Sequence, residues 1–279
     1  MQSTEHQAIL GGARTHYWTY GNPKNPPILV VHGFRGTHHG LEYVLEHMVD
    51  KYYMVVPDLP GFGDSPAFID QTHTIENYAV LLDSLTTYLK FKQVHVLGHS
   101  MGTVVVAEMI KRQPQKFMKA ILINPVSKKP PILQLFPGYL YHRVAGKYLP
   151  EKFGTAVLSN KQLFLLGSAV MTKTKDKQLR KLIHWNHVTY MKRFAHRKAL
   201  LEAFESANST ALDRYVDYLT IPTLMIAGKQ DTIAPLKDTR DVAGKLSNVR
   251  LVELDKVGHI VHYERPKEAA AAIVDFLNS

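Results

Sequence analysis

The sequence has no cysteine, and this absence excludes several kinds of site. Disulfides, a thiolate nucleophile and zinc or iron–sulfur sites held by thiolates all need that residue. Long apolar runs are missing too, because no stretch reaches the ~18 consecutive apolar residues that a membrane-spanning helix needs. The first residues show no basic segment followed by an apolar one, so no secretory signal is expected. We therefore expect a cytoplasmic protein, with a peripheral position at a membrane left open.

Net charge is absent from most of the chain and is concentrated in one internal segment. Residues 1–126 contain 10 Lys and Arg and 10 Asp and Glu, and residues 218–279 contain 8 of each kind. Residues 127–217 contain 16 basic and 6 acidic residues, which accounts for the whole net charge of +10. A shift of this size marks a boundary. We therefore divide the chain into a core of residues 1–126 and 218–279 and a strongly basic insert of residues 127–217.

Short apolar runs alternate with amphipathic segments in both parts of the core. The periodicity of residues 74–90 is that of an amphipathic helix. Strands that alternate with helices predict an α/β fold with a parallel sheet and helices on both faces. The insert lacks β-branched runs and is predicted to be helical, which suggests a cap over the carboxyl ends of the strands. The predicted strands are residues 26–34, 52–58, 93–98, 119–125, 223–228 and 249–254.

A serine lies between two glycines where a predicted strand meets a predicted helix. The segment Gly98-His99-Ser100-Met101-Gly102 has the form G-x-S-x-G in the strand–turn–helix context that a nucleophile elbow requires. The turn is so sharp that side chains at its flanks would clash, and Ser100 would lie strained at the apex. A serine that only caps the helix is the alternative. We take Ser100 as the candidate nucleophile.

A serine hydroxyl needs a general base, and the chain offers 15 histidines. His259 lies in the loop between the last predicted strand and the last helix, where a side chain projects over the edge of the sheet. His262 follows three residues later and is expected to pack or to cap a helix. His99 is adjacent to Ser100 and would point elsewhere on the turn. His259 is therefore the candidate base.

The base needs an acid that orients it, and Asp231 follows the preceding predicted strand. Asp255 is too close to His259 in sequence to approach its ring easily, and Asp238 lies in a predicted helix. A turn or a helix cap is the alternative role of Asp231. The chain order serine, aspartate, histidine is the order expected for this architecture.

An oxyanion hole needs two N–H donors that point at the developing negative charge. The backbone N–H of Met101 lies at the start of a predicted helix, where the helix dipole also favours an anion. The second donor is expected from residues 32–36, with the N–H of Phe34 as the candidate. The glycines of that segment permit a close approach of the backbone.

Five segments together resemble the α/β-hydrolase superfamily: "VVHGFRG", "VVPDLPGFGDS", "LGHSMGT", "AGKQDTIAP" and "GHIVHYERP". The resemblance covers residues 1–126 and 218–279, about two thirds of the chain. It implies a mostly parallel eight-stranded sheet with helices on both faces and a helical cap, or lid, inserted after strand six. It also implies a triad of Ser100, His259 and Asp231 in an esterase- or lipase-like member. No metal and no organic cofactor is implied.

Some branches of the superfamily fit less well. Dehalogenases and epoxide hydrolases have an aspartate where this chain has Ser100, so both are disfavoured. Carbon–carbon bond hydrolases of ring-cleavage products have an asparagine before the serine and a tryptophan after the histidine. This chain has His99 and Ile260 at those positions. The departure weakens the carbon–carbon assignment and leaves it open.

We therefore expect a serine hydrolase that cleaves a carboxylic ester or thioester of a largely apolar acyl group through an acyl-enzyme. The alternatives are a carbon–carbon bond hydrolase, a cofactor-free lyase or perhydrolase, and a ligand-binding protein without activity. The expected partner is a small-molecule ester. The basic insert is either solvated surface or a site for an anionic partner, such as a membrane surface or an acyl-carrier protein. Nucleic acid is not expected, and the oligomeric state is open.

Overall fold

The computed structural model describes the backbone of residues 1–279 and all side chains except those of residues 132–135. Two apolar residues that the sequence places in the insert, Leu133 and Leu135, therefore lie outside the described side chains. The centre is an eight-stranded sheet in the order β1-β2-β4-β3-β5-β6-β7-β8. The strands are β1 (Ser3–Leu10), β2 (Ala13–Tyr20), β3 (Pro27–Val31), β4 (Tyr53–Pro57), β5 (Val94–His99), β6 (Phe117–Ile123), β7 (Thr223–Gly228) and β8 (Val249–Leu254).

Strand β2 runs antiparallel to both of its neighbours, β1 and β4, and the other pairs of neighbouring strands are parallel. The predicted mostly parallel eight-stranded sheet is thereby confirmed. Parallel strands need crossover connections, and helices supply them on both faces of the sheet. The α-helices are α1 (His38–Leu45), α2 (Ile75–Tyr88), α3 (Met101–Arg112), α4 (Ile132–Arg143), α5 (Glu151–Leu158), α6 (Lys161–Met171), α7 (Lys177–Asn186), α8 (Arg197–Ala207), α9 (Leu236–Ala243), α10 (Val261–Glu264) and α11 (Pro266–Asn278).

The sheet separates two apolar cores because side chains alternate between its faces. Along β3, Leu29 and Val31 join one core with α2 and α3, while Ile28 and Val30 join the other core with α1 and α11. All four side chains have no exposed surface. Strands buried on both faces have continuous apolar sequences, which is why the central strands could be recognised from the sequence.

The strand order reverses next to β3, which has β4 on one side and β5 on the other. The segments that follow β3 and β5 therefore leave the sheet toward opposite faces, with α1 on one face and α3 on the other. Ligands of open α/β sheets bind at such a switch point. The segment of residues 32–36 follows β3 and Ser100 follows β5, so both lie at this switch point.

Helices α4 to α8 occupy the segment between β6 and β7. The insert contacts the core at the loops that follow β3 and β8. The ring of Phe34 lies 5.5 Å from the ring of His142 and 5.7 Å from that of Phe204. Glu264, after β8, accepts a hydrogen bond of 2.7 Å from the backbone N–H of Lys173. The division into core and cap stays a prediction. No helix within the described residues is both long enough and apolar enough to cross a membrane.

Candidate active site

Ser100 occupies a strained backbone conformation at the junction of β5 and α3. Its φ is 52° and its ψ is −121°, a region that residues with a side chain rarely adopt. The backbone N–H of Ser100 donates to the carbonyl of Ile123 at 3.0 Å, which ties the turn to the end of β6. Strain of this kind persists only where the surroundings impose it, and it concentrates at functional sites.

The glycines on either side of Ser100 are required by the close approach of backbone atoms. A Cβ at Gly98 would lie 2.5 Å from the carbonyl oxygen of Gly102. A Cβ at Gly102 would lie 2.3 Å from the carbonyl oxygen of Val31. Both distances are far below van der Waals contact, so the turn excludes any side chain at these two positions. The sharpness that the sequence predicts for this turn is present in the structure.

His259 connects Ser100 to Asp231 through two hydrogen bonds of equal length. Its Nε2 lies 2.8 Å from the Oγ of Ser100, and its Nδ1 lies 2.8 Å from Oδ2 of Asp231. The three residues come from the loops after β5, β7 and β8, which meet at the same edge of the sheet because these strands are parallel. His259 and Asp231 are both buried. The structure thus brings the three predicted residues into one hydrogen-bonded chain.

Asp231 is held by four donors. Its Oδ1 accepts from the backbone N–H groups of Ile233 and Ala234, each at 2.9 Å, and its Oδ2 accepts from His259 and from Nδ2 of Asn124. Burial raises the pKa of Asp231, but the charge and hydrogen bond of His259 and the two N–H groups outweigh it. The pKa of Asp231 is therefore lower than that of a free aspartate. The side chain is therefore a carboxylate near neutral pH, oriented toward Nδ1 of His259.

Asn124 is the main component of this arrangement that the sequence interpretation missed. It directly follows β6 with a φ of 46°, a left-handed conformation that asparagine tolerates better than most residues. Its Nδ2 donates to Asp231 and to the carbonyl of Gly258, each at 3.0 Å, and its Oδ1 accepts from the N–H of Val261 at 3.2 Å. One buried side chain therefore fixes both Asp231 and the loop that carries His259. The only sequence signal is an asparagine followed by proline at the end of a predicted strand.

The two candidate donors of an oxyanion hole lie on either side of the switch point. Gly33 is so close to the elbow that a Cβ on it would lie 3.0 Å from the Cβ of Ser100. Phe34 follows directly, and Met101 begins α3. Among the described residues, no backbone hydrogen bond is found from the N–H of Phe34, or from the N–H of Met101 outside its own helix. The role of these two N–H groups as oxyanion donors stays a prediction.

The alternatives considered at the sequence level have other partners. His262 is buried with its ring 4.1 Å from that of His99, and Nε2 of His99 lies 3.1 Å from the carbonyl of His259. Asp255 is exposed and pairs with Lys229 at 3.0 Å. Asp238 lies in the first turn of α9. The side chains of His262, Asp255 and Asp238 therefore take no part in the hydrogen-bonded chain that begins at Ser100.

Arg35 joins the segment after β3 to the insert. Its guanidinium donates to the carbonyl of Leu158 at 2.9 Å and to that of Met191 at 3.3 Å, and it lies 4.4 Å above the ring of Phe164. Burial lowers the pKa of Arg35 to about 10. Within the described residues the guanidinium has no carboxylate partner. A cation with such partners fixes the loop of Phe34 against three parts of the insert at once.

The family model described as alpha/beta hydrolase fold matches residues 26–266. The hydrolase YugF of Bacillus subtilis (strain 168) is 25% identical over 283 residues, which cover 96% of each chain. The monoacylglycerol lipase ABHD6 of Mus musculus is 27% identical over 271 residues, which cover 93% of this chain and 78% of that protein.

Solved structures agree with the family assignment at the level of the fold. The alpha/beta hydrolase enzyme MGS-M2, from a Medee basin deep-sea metagenome library, superposes with a TM-score of 0.81 over 98% of both chains, at 18% identity. The family model spans most of the chain and includes all of the residues of the hydrogen-bonded site. The chain belongs to the α/β-hydrolase family and is a hydrolase of that family.

Proposed function

We propose that the protein is a serine hydrolase that cleaves carboxylic esters through an acyl-enzyme. The observation that carries this proposal is the unbroken chain from the Oγ of Ser100 through His259 to Asp231, with both hydrogen bonds at 2.8 Å. A neutral imidazole that accepts from a hydroxyl and donates to a buried carboxylate is the arrangement that activates a serine.

The first half of the reaction forms the acyl-enzyme. The Oγ of Ser100 bonds to the ester carbonyl carbon while its proton moves to Nε2 of His259. The N–H groups of Phe34 and Met101 donate to the resulting oxyanion, and Asp231 stabilises the imidazolium. The C–O bond to the alcohol then breaks, and the departing oxygen takes the proton from Nε2.

The second half releases the acid. Water gives a proton to Nε2 of His259, and its oxygen bonds to the acyl carbon. The second tetrahedral intermediate is held by the same two N–H groups. Its collapse breaks the bond to Oγ, and the proton on Nε2 returns to Ser100. The enzyme is restored, and one ester and one water have become an acid and an alcohol.

Aromatic rings beside the oxyanion donors support an apolar acyl group as the substrate. Phe34 lies 5.9 Å from Phe62 and also contacts His142 and Phe204 from the insert. The rings around Phe34 are buried and form an apolar environment with few polar groups, which is typical of the walls of sites for apolar ligands. The name monoacylglycerol lipase of one relative supports an ester of this kind. We infer that the insert acts as a cap that completes this surface.

A substrate panel with matched variants tests the proposal. Purified protein is assayed with p-nitrophenyl esters of increasing acyl length, a thioester, a carbamate and a vinylogous diketone that reports carbon–carbon cleavage. We expect ester hydrolysis that is lost in Ser100→Ala and in His259→Ala and kept in His262→Gln. Cleavage of the diketone without cleavage of any ester would replace the ester proposal with carbon–carbon hydrolysis. Absence of all turnover in the wild type would contradict the enzymatic assignment.

A further inference from the structure

The α6–α7 hairpin, residues 161–186, has an apolar outer face. The inner face of α6 is fixed by two contacts: Phe164 lies beneath Arg35, and the Oγ of Ser168 lies 2.6 Å from Nδ1 of His184 on α7. Leu163, Leu166 and Val170 therefore point away from the protein because they follow the helical spacing of the opposite side. All three are exposed, Leu166 by 66%. A helix that is apolar on both its inner and its outer face is not typical of a solvated surface.

Helix α7 also carries exposed apolar side chains, on the side of that helix that points away from α6. Trp185 on α7 is 55% exposed, and Leu182, one turn earlier, is exposed by 39%. Of the 16 exposed large apolar side chains described in the whole protein, nine lie between residues 136 and 185, and five of these belong to the hairpin. Large exposed apolar side chains are thus concentrated in the insert. The run of Leu163, Leu166 and Val170 along one side of α6 is the kind of apolar surface that marks an interaction site.

The hairpin also carries unpaired positive charge. It contains six basic residues, and its single acidic residue, Asp176, is occupied as the N-cap of α7. None of the six basic side chains forms an ion pair with any described residue. Some other cations of the insert do so: Arg143 pairs with Glu205, and Arg193 pairs with Asp64. The six hairpin cations are Lys161, Lys173, Lys175, Lys177, Arg180 and Lys181.

We propose that the α6–α7 hairpin docks the protein on the surface of an anionic lipid bilayer. The hairpin combines exposed leucine, valine and tryptophan side chains with six basic residues, and this combination matches the chemistry of a lipid headgroup layer. The six hairpin cations favour anionic lipids by charge complementarity. The exposed apolar side chains of Leu163, Leu166 and Val170 favour a bilayer over an acidic protein surface, because such a surface offers them no apolar contact. Helix α6 contacts Arg35, which follows the candidate oxyanion residue Phe34. The docking face is therefore one helix away from the site.

Docking would bring the proposed ester hydrolysis to a lipid surface, and to that extent the inference rests on the proposed function. Binding to vesicles is measured without turnover, so the docking proposal and the proposed ester hydrolysis can fail separately. The probe is flotation of the full chain with vesicles of phosphatidylcholine and phosphatidylglycerol in equal parts, compared with vesicles of phosphatidylcholine alone. A fluorophosphonate probe for an activated serine is applied to the same preparation in solution.

Two variants remove the two components of the surface. The charge variant combines Lys175→Gln, Lys177→Gln, Arg180→Gln and Lys181→Gln, and its control combines Lys24→Gln, Lys51→Gln, Lys92→Gln and Lys245→Gln, four exposed cations of the core. The apolar variant combines Leu166→Ser and Trp185→Ser, and its control combines Ile9→Ser and Ile69→Ser, both highly exposed. Circular dichroism and melting verify that each variant is folded.

We expect the wild type and both controls to float with the mixed vesicles, and each test variant to bind them at least about tenfold more weakly. Binding of the wild type should fall with added salt, because the attraction between surface charges is screened. The proposal is overturned if the wild type does not bind the mixed vesicles, or if the controls lose as much binding as the test variants. It is also overturned if sedimentation shows that the hairpin joins two copies of this chain in place of binding lipid.

Discussion

The core and the insert of this protein differ in their balance of basic and acidic residues and in the exposure of their large apolar side chains. In the core, basic and acidic residues are equal in number, and some cations pair with acids on another element, as Arg112 does with Asp83 and Arg240 with Glu253. Apolar side chains of the core lie on the two faces of the sheet. In the insert, basic residues exceed acidic ones, and large apolar side chains remain exposed on α6 and α7. The comparison teaches that the candidate catalytic groups and the proposed docking surface lie in different parts of the chain.

The two regions meet at the segment after β3. Arg35 of the core bonds to carbonyl groups of the insert, and Phe34, next to it, packs against insert rings. At this junction the residue of one candidate oxyanion donor, Phe34, is in direct contact with the insert. Variants of the core site are expected to change the reaction, and variants of the insert are expected to change stability or recognition.

The largest effect is expected from the hydrogen-bonded chain in the core. Replacing Ser100 or His259 with alanine should lower kcat/KM for a reactive ester by about 10⁶-fold, since nucleophile and base act as one unit. The double variant should be no worse than either single variant for the same reason. Steady-state kinetics on all three proteins checks this. Additive losses in the double variant would show that the two residues act independently.

The next effect concerns buried neutral histidines, which occur in both regions. Burial lowers the pKa of His95 in the core to about 4, and burial with the charge of His184 lowers that of His187 in the insert to about 3. Both rings are therefore neutral when folded and take up protons on unfolding below about pH 6.5. Unfolded chains then bind more protons, so stability is complete above that pH and is lost as the pH falls toward 4.

Between about pH 4 and pH 6.5, each of these histidines should change the free energy of unfolding by about 1.4 kcal/mol per pH unit. We expect His95→Leu and His187→Asn each to reduce the pH dependence of the free energy of unfolding by that amount. Urea unfolding at pH 7 and pH 5 provides the measurement. A variant that keeps the slope of the wild type would show that its histidine is protonated in the folded protein.

Asn124 should have a smaller effect on activity. Asn124→Asp adds a second carboxylate beside Asp231, which favours a protonated His259 up to a higher pH. We expect the acid-side fall of kcat/KM to move to higher pH, with about a tenfold lower value near neutral pH. Asn124→Ala, the control, should lower kcat without this movement. If Asn124→Asp had the pH profile of the wild type, Asn124 would be only a structural residue.

The smallest effect is expected from a glycine in the insert. A Cβ at Gly167, on the outer side of α6, has no atom within 4 Å. Gly167→Ala should therefore raise the free energy of unfolding by about 0.5–1 kcal/mol, because alanine loses less backbone entropy in a helix. Gly98→Ala in the core is the matched comparison and should destabilise the protein. Chemical denaturation of both variants checks this, and a loss of stability in Gly167→Ala would contradict the structure of α6.

The sequence was sufficient for the central strands but not for one edge of the sheet. Strands β3 to β7 carry apolar runs that follow from burial on both faces, whereas β1 and β2 mix polar and apolar residues beside solvent. Strand β8, at the other edge, is partly exposed but keeps enough apolar residues to be recognised. The presence of β1 and β2 was expected only from the resemblance to the family. Charge composition located the insert, but no local pattern tells which apolar residues of a helix are left exposed.

The candidate site shows the same division. Ser100 and His259 could be proposed because the elbow has a local sequence pattern and because parallel strands carry their loops to one edge. Asn124 could not, because its role depends on a left-handed backbone and on partners more than 100 residues away. Arg35 was missed because a buried cation held by carbonyl groups leaves no trace in sequence spacing.

The most direct test of the central claim is the mass of the protein after reaction with a fluorophosphonate. An activated serine should give one adduct, which peptide mapping places on Ser100 and which His259→Ala abolishes. His262→Gln, the control, should react as the wild type does. An adduct on another residue, or labelling of Ser100 that persists in His259→Ala, would contradict the account.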